Sequence, residues 1–204
     1  MQGTPPRYPW IMNAVPARAI ARKIGLPPIG DGVDNAVFSV EPAPEGAIYP
    51  YIAANGAPVR LDLRKNPRRA NQVDFQRHSG YSLFSRPVKE LRLVCKEFPW
   101  PMEIEEEWVI CGAVWSRLYD TLQEYLTDSE WALASESRRK KIDRAVRLRE
   151  AETGNSNLKA RRIDWLGEKT VFAGLERDDN FVQEIALPER QDNMDTWVIR
   201  MIRR

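Results

Sequence analysis

Two periods of apolar and polar residues run through the chain after residue 58, and they predict most of its elements. Val59-Arg60-Leu61-Asp62-Leu63 alternates, as a half-buried strand does, and Pro67 closes it. In 90–96, Leu91, Leu93 and Cys95 share one face, with Arg92, Val94 and Lys96 on the other. Met102 to Glu107 is its antiparallel partner, Met102 and Ile104 inward and Glu103 and Glu105 outward. Phe98-Pro99-Trp100-Pro101 joins the two, and its two prolines mark a connection rather than a sheet interior.

The period then lengthens. Val114, Leu118, Leu122, Tyr125 and Leu126 form one stripe of a helix over 111–126, widened by Trp115 and Tyr119. Thr127 stands three residues before Glu130, the spacing of a capping box. It opens a second helix, carrying Trp131, Ala134, Ile142, Ala145 and Val146 and ending by Gly154. Ser135 to Lys141 lacks a strong apolar residue, which predicts that Arg138, Arg139, Lys140 and Lys141 stand in water. After the loop Gly154-Asn155-Ser156-Asn157 come Ile163-Asp164-Trp165-Leu166, a turn at Gly167-Glu168-Lys169 and a strand from Thr170 to Leu175. Phe181 to Leu187 reads as extended, and Trp197 to Ile202 as a last strand with Trp197, Ile199 and Met201 on one face.

Strand, hairpin, two helices and further strands predict an α+β fold. It is an antiparallel sheet of about five strands with two long helices packed on one face. Residues 1–58 differ, holding ten of the fifteen prolines and six of the eleven glycines, which predicts an N-terminal arm without long regular elements. One short helix is expected at Pro16 to Ile24, and the arm is expected to dock through Trp10, Ile11 and Phe38. Residues 59–204 then form a single α+β domain.

Composition narrows function mainly by exclusion. The 204 residues carry 31 Lys+Arg against 29 Asp+Glu, too even a balance for a general polyanion binder. The charges are segregated, however. Lys96 to Glu136 holds ten acids and two bases, Arg138 to Arg162 ten bases and three acids. The basic run offers nucleic-acid binding through a helix over 138–162, against the simpler reading of surface pairs with the acidic segment. Cys95 and Cys111 lack metal-ligand spacing and read as buried free thiols. No run has the roughly 18 apolar residues of a membrane span. The chain therefore reads as intracellular and cytoplasmic. Arg7, Arg18, Arg22 and Lys23, with no acid before Asp31, give a mitochondrial presequence as the alternative.

Nucleophilic catalysis needs a base beside the nucleophile, and the one histidine, His78, sits in a polar stretch where solvation or simple hydrogen bonding is the expected role. Asp178-Asp179-Asn180-Phe181 with Glu184 resembles acidic magnesium motifs only in passing and reads as a charged turn. The metal set Glu105-Glu106-Glu107 fails because alternate strand residues face opposite ways. Neither metal nor cofactor is expected. The aromatics suggest a pocket bordered by Trp100, Trp115, Trp165 and Phe172 with the pair Arg162 and Asp164; core packing uses the same rings.

These landmarks resemble a fungal, basidiomycete family known as domain of unknown function 6699. The likeness runs over roughly 59–202 and rests on several short motifs. They are Leu61-Asp62-Leu63 with Pro67, Leu91 to Val94, Pro99-Trp100 and Met102 to Glu105. Its specific part is Arg162-Ile163-Asp164-Trp165-Leu166 followed by Phe172-Ala173-Gly174-Leu175. The resemblance implies a fold and a source, but no activity. The expectation is a non-enzymatic binding or interaction protein, its partner another protein or an apolar small molecule. The alternatives are an enzyme acting on such a molecule in a tryptophan-lined pocket and the nucleic-acid reading.

Overall fold

Leu61 and Phe172 face each other across the first of four strand pairings that build one five-stranded sheet. The computed structural model describes residues 46–69, 73–106, 108–185 and 194–204. The short helix expected at Pro16 to Ile24 and the docking of Trp10, Ile11 and Phe38 lie outside them. The strands are β1 (Leu61–Asp62), β2 (Glu90–Cys95), β3 (Met102–Glu105), β4 (Val171–Glu176) and β5 (Asp195–Ile202), in the order β1-β4-β5-β2-β3. Three pairings are antiparallel, but β5 runs parallel to β2, with Leu93 opposite Trp197. The sheet is therefore mixed, a correction to the all-antiparallel expectation. Strand periodicity records which face is buried and not the direction of the neighbour.

The described residues hold six helices: α1 (Val73–His78), α2 (Cys111–Gln123), α3 (Asp128–Leu133), α4 (Glu136–Thr153), α5 (Arg162–Trp165) and α6 (Asp179–Ile185). Only α2 is the core helix that its stripe predicts, with Val114, Trp115, Leu118 and Leu122 wholly buried. It stops at Gln123, three residues early, because the next backbone groups pair elsewhere. Leu126 N–H donates to Ala160 O (3.0 Å) and Arg162 N–H to Glu124 O (2.9 Å). Tyr125 consequently points outward, 58% exposed.

The second predicted helix is two. The capping box at Thr127 and Glu130 forms and starts α3, but Ala134 leaves helical geometry and Ser135 caps α4 by accepting from Arg138 N–H (3.2 Å). Serine competes well for exposed amides, so a break there is favourable. Gly154 ends α4 in the left-handed region, at φ 70°. Ile142 is the one buried residue of α4's eighteen. Two long helices packed on one face are thus not what forms: α2 packs on the sheet, and α4 packs on the one-turn helix α5.

The core lies between α2 and the sheet face bearing Leu91, Leu93, Met102, Phe172, Trp197 and Ile199. Phe75, in the polar stretch around His78, is fully buried and packs 5.6 Å from the Trp115 ring. Residues 46–57 pack with the domain, Ile52 completely buried. The second half of β4 binds them, Leu175 N–H donating to Ile52 O (2.7 Å) and Ala54 N–H to Leu175 O (2.8 Å).

Candidate functional site

Asp164 is 4% exposed and anchors the one-turn helix α5. Its Oδ2 accepts from Arg161 N–H (2.8 Å) and from Arg149 Nη2 (2.7 Å), while Arg149 Nε reaches Oδ1 (3.3 Å). Arg149 also donates to Lys159 O (2.8 Å), so one guanidinium ties α4 to the loop before α5. The expected Arg162/Asp164 pair does not form. These two residues are two apart, and a helical turn sends such neighbours in different directions. Arg162 turns instead to Glu130 Oε1 (2.6 Å) and to Glu124. Burial pushes the Glu130 carboxyl up, but the Thr127 amide and Arg162 outweigh it and hold the group below its ordinary range.

The Arg162 guanidinium also lies over Trp100, 4.9 Å from the ring centre, and Trp100 meets Trp165 edge-on at 5.3 Å. Arg138 covers Trp165 at 5.3 Å and donates to its carbonyl (2.9 Å). Arg138 is therefore not free in water as predicted, and neither is Arg139. Arg139 donates to Trp131 O (3.1 Å) and Ala132 O (2.9 Å), carbonyls at the end of α3. Of the six predicted site residues, Trp100, Trp165, Arg162 and Asp164 are thus gathered around α5. Trp115 and Phe172 sit in the core, ring centres 6.5 Å apart and both wholly buried.

Trp100 has a second side. With Phe98, stacked on it at 5.8 Å, and the flanking Pro99 and Pro101, it closes one end of a groove of about 240 Å³ on the outer face of the sheet. Val94 and the ion pair Arg92–Glu103 (2.9 Å) form the floor. Phe181, Val182 and Ile185 of α6 form the opposite wall, with Ile185 43% exposed. Phe181 to Leu187 read as extended in the sequence; as far as Ile185 it is helix. The missed signal was Asp178, whose Oδ1 accepts from Phe181 N–H (3.0 Å) and starts α6. The same carboxylate pairs with Lys96 (2.5 Å), so the acidic stretch works as a cap and a tether.

The basic run resolves into partners. Arg138, Arg139, Lys140, Arg149, Arg161 and Arg162 are all engaged within the protein, while Lys141, Arg144, Arg147 and Lys159 carry no partner among the described residues. Both cysteines are buried and free, and burial lifts the Cys95 thiol to about 12. Among the described residues no three His, Cys, Asp or Glu side chains gather as a metal site would need. No described helix is long and apolar enough to cross a membrane.

His78 ends α1, 8% exposed, hydrogen-bonded through Nδ1 to Tyr49 Oη (3.0 Å) and stacked 4.3 Å from Tyr51. Burial, and then the Arg77 charge, push its pKa below the ordinary histidine value of 6.5, with Asp74 opposing weakly. A depressed folded-state pKa means that the unfolded chain binds the proton more readily. The stability linked to His78 is thus complete above pH 6.5 and is lost as pH falls through the folded value. Melting curves should drop between pH 7 and 5, and His78→Gln should flatten that slope. An equal slope in the variant would remove His78 as its source.

Comparison with known proteins returns one finding. The sequence pattern of a family described as "Family of unknown function (DUF6699)" matches residues 59–181. The match includes the corner at Trp100, α5 and β4, and it ends at the Phe181 wall of the groove. No curated protein and no solved structure matches the chain.

Proposed function

The chain belongs to the DUF6699 family of unknown function, and from that premise we propose that it is a non-enzymatic interaction protein that seats apolar side chains of a partner polypeptide in the groove beside Trp100. The carrying observation is the groove's size and lining. At about 240 Å³, with prolines, aromatics and aliphatics around one ion pair, it suits one or two anchor side chains. It falls below the roughly 300–1,000 Å³ of a small-molecule site. The internal partners of six of the ten basic residues in 138–162 weaken the nucleic-acid reading. A fungal source and a cytoplasmic setting belong to this reading, the first on the motif resemblance and the second on the two free thiols.

Trp100 is rigid where an anchor site should be rigid, held by Phe98, Trp165 and the Arg162 guanidinium. Predicted Arg162 and Asp164 thus act as supports of the site and not as contacts. The test is selection of random peptides on the full chain, followed by Ile185→Glu. That position is already partly exposed, so the substitution should change stability by no more than about 0.5 kcal/mol. Selected peptides should carry proline or large apolar anchors, and the charge should weaken them at least tenfold, a loss of about 1.4 kcal/mol. Peptides that bind wild type and variant equally would refute the groove as the site.

A further inference from the structure

A second cleft lies between the loop 57–60 and α1, with a volume of about 400 Å³. That volume is within the roughly 300–1,000 Å³ of a small-molecule site. Pro58 and Val59 form its apolar part, and Tyr51, Arg60, Asp74, Arg77 and His78 bring the chemistry. Backbone bonds fix both walls. Val59 N–H donates to Tyr51 O (2.8 Å) and Ala57 N–H to Pro50 O (3.2 Å), which locks the loop. On the other side Phe75 seats α1 in the core, and Gly112 N–H donates to Ser79 O (2.8 Å) just past its end. A site held by such supports is preorganised.

Arg60 and Arg77 are exposed and carry no partner among the described residues, whereas Arg64 and Arg68 of the same region are paired with Asp62 and Asp120. Asp74 is the one acid in the lining. After burial, the Arg77 charge is the larger influence on the His78 ring and Asp74 the smaller, so the cleft is positive on balance. His78 adds a third group from the buried side. Its Nδ1 is bound to Tyr49 Oη (3.0 Å), but Nε2 has no partner among the described residues and is not sealed in the interior. Burial raises the Tyr49 hydroxyl far above its usual range, so it keeps its proton and donates to Nδ1. The imidazole proton then sits on Nε2, a donor at the cleft. Tyr51, 44% exposed and stacked on that ring at 4.3 Å, supplies an aromatic surface.

Two guanidinium forks and an imidazole N–H are the donors that an oxyanion needs. A phosphate monoester offers them three terminal oxygens, against the two of a carboxylate, and Tyr51 calls for a planar ring on the same molecule. Asp74 repels further negative charge, which disfavours a polyphosphate. We propose that this cleft binds a small phosphate monoester bearing a planar ring, its phosphate held by Arg60, Arg77 and the Nε2–H of His78 and its ring laid on Tyr51. The site is separate from the groove beside Trp100 and does not depend on it.

The test titrates phenyl phosphate and, separately, inorganic phosphate into isotope-labelled full chain at neutral pH, following imidazole, guanidinium and backbone resonances. Phenyl phosphate should shift His78 Nε2 and the Arg60 and Arg77 Nε signals saturably, with Val182 and Ile185 unmoved. It should bind severalfold more tightly than inorganic phosphate. Arg60→Gln/Arg77→Gln, at two exposed positions, should keep the melting temperature and weaken binding by roughly tenfold or more. Tyr51→Leu should remove the advantage of phenyl phosphate over inorganic phosphate, and Asp74→Asn should tighten both. Unchanged binding in the double variant, or shifts spread over Lys141, Arg144 and Arg147, would reduce the effect to general anion attraction and overturn the proposal. Phenyl phosphate no tighter than inorganic phosphate would also overturn it. A phosphotyrosine peptide that binds far more tightly than phenyl phosphate would overturn it in favour of a phosphorylated polypeptide.

Discussion

Phe172→Ala lowers the stability of the protein by about 3–5 kcal/mol, the cost of truncating a core aromatic. The ring is completely buried, sits in β4 opposite Leu61 and Met201, and meets Trp115 edge-on. Nothing small can move in to replace it, because the neighbours belong to β1, β5 and the core helix α2. For a domain of this size the loss corresponds to a melting temperature lower by roughly 10 °C or more. A shift under about 1 kcal/mol would mean that the site collapses freely, and Phe172 would lose its place at the centre of the core.

Gly174→Ala should be as damaging, by about 3–5 kcal/mol, for backbone rather than packing reasons. Gly174 has φ 111°, where an L-residue is strained, and it lies within the irregularity of β4 between Phe172 and Leu175. A Cβ there would stand 2.6 Å from both Cα and N of Ala54. The chain at 52–54 would have to retreat, losing the bonds that join it to Leu175. Gly167 is the control. Its φ is 59° but a Cβ would meet nothing within 4 Å, so Gly167→Ala should cost only about 1–2 kcal/mol. Denaturant midpoints compare the two, and amide exchange at Ala54 and Leu175 should quicken in the first variant alone. Equal effects would show that the close approach at Ala54 is not the cause.

Much of the fold was legible because periodicity reports burial directly. Leu91, Leu93, Met102 and Ile104 face inward as their alternation predicts, and Val114, Leu118 and Leu122 form the buried stripe of α2. Strand direction was not legible, so the parallel pairing of β5 with β2 came from the structure. The break at Ser135 lies in a polar stretch where helix and cap compete on nearly equal terms. The site divides the same way. Four of six predicted residues converge, since α5 and the Trp100 corner are adjacent in space. The wall of α6 was missed, because Phe181, Val182 and Ile185 are too few for a clear period. The opposed side-chain partners of Arg162 and Asp164 could not be read either, as Glu130 and Arg149 lie 32 and 15 residues away along the chain.

Whether the groove beside Trp100 is where this protein meets a partner can be read by magnetic resonance. A selected peptide is titrated into isotope-labelled full chain and the amide, methyl and indole resonances are followed. The largest shifts should fall on Val94, Phe98, the Trp100 indole N–H, Val182 and Ile185. Shifts concentrated instead on Lys141, Arg144 and Arg147 of α4, or on Tyr51 and His78, with the groove silent, would contradict it.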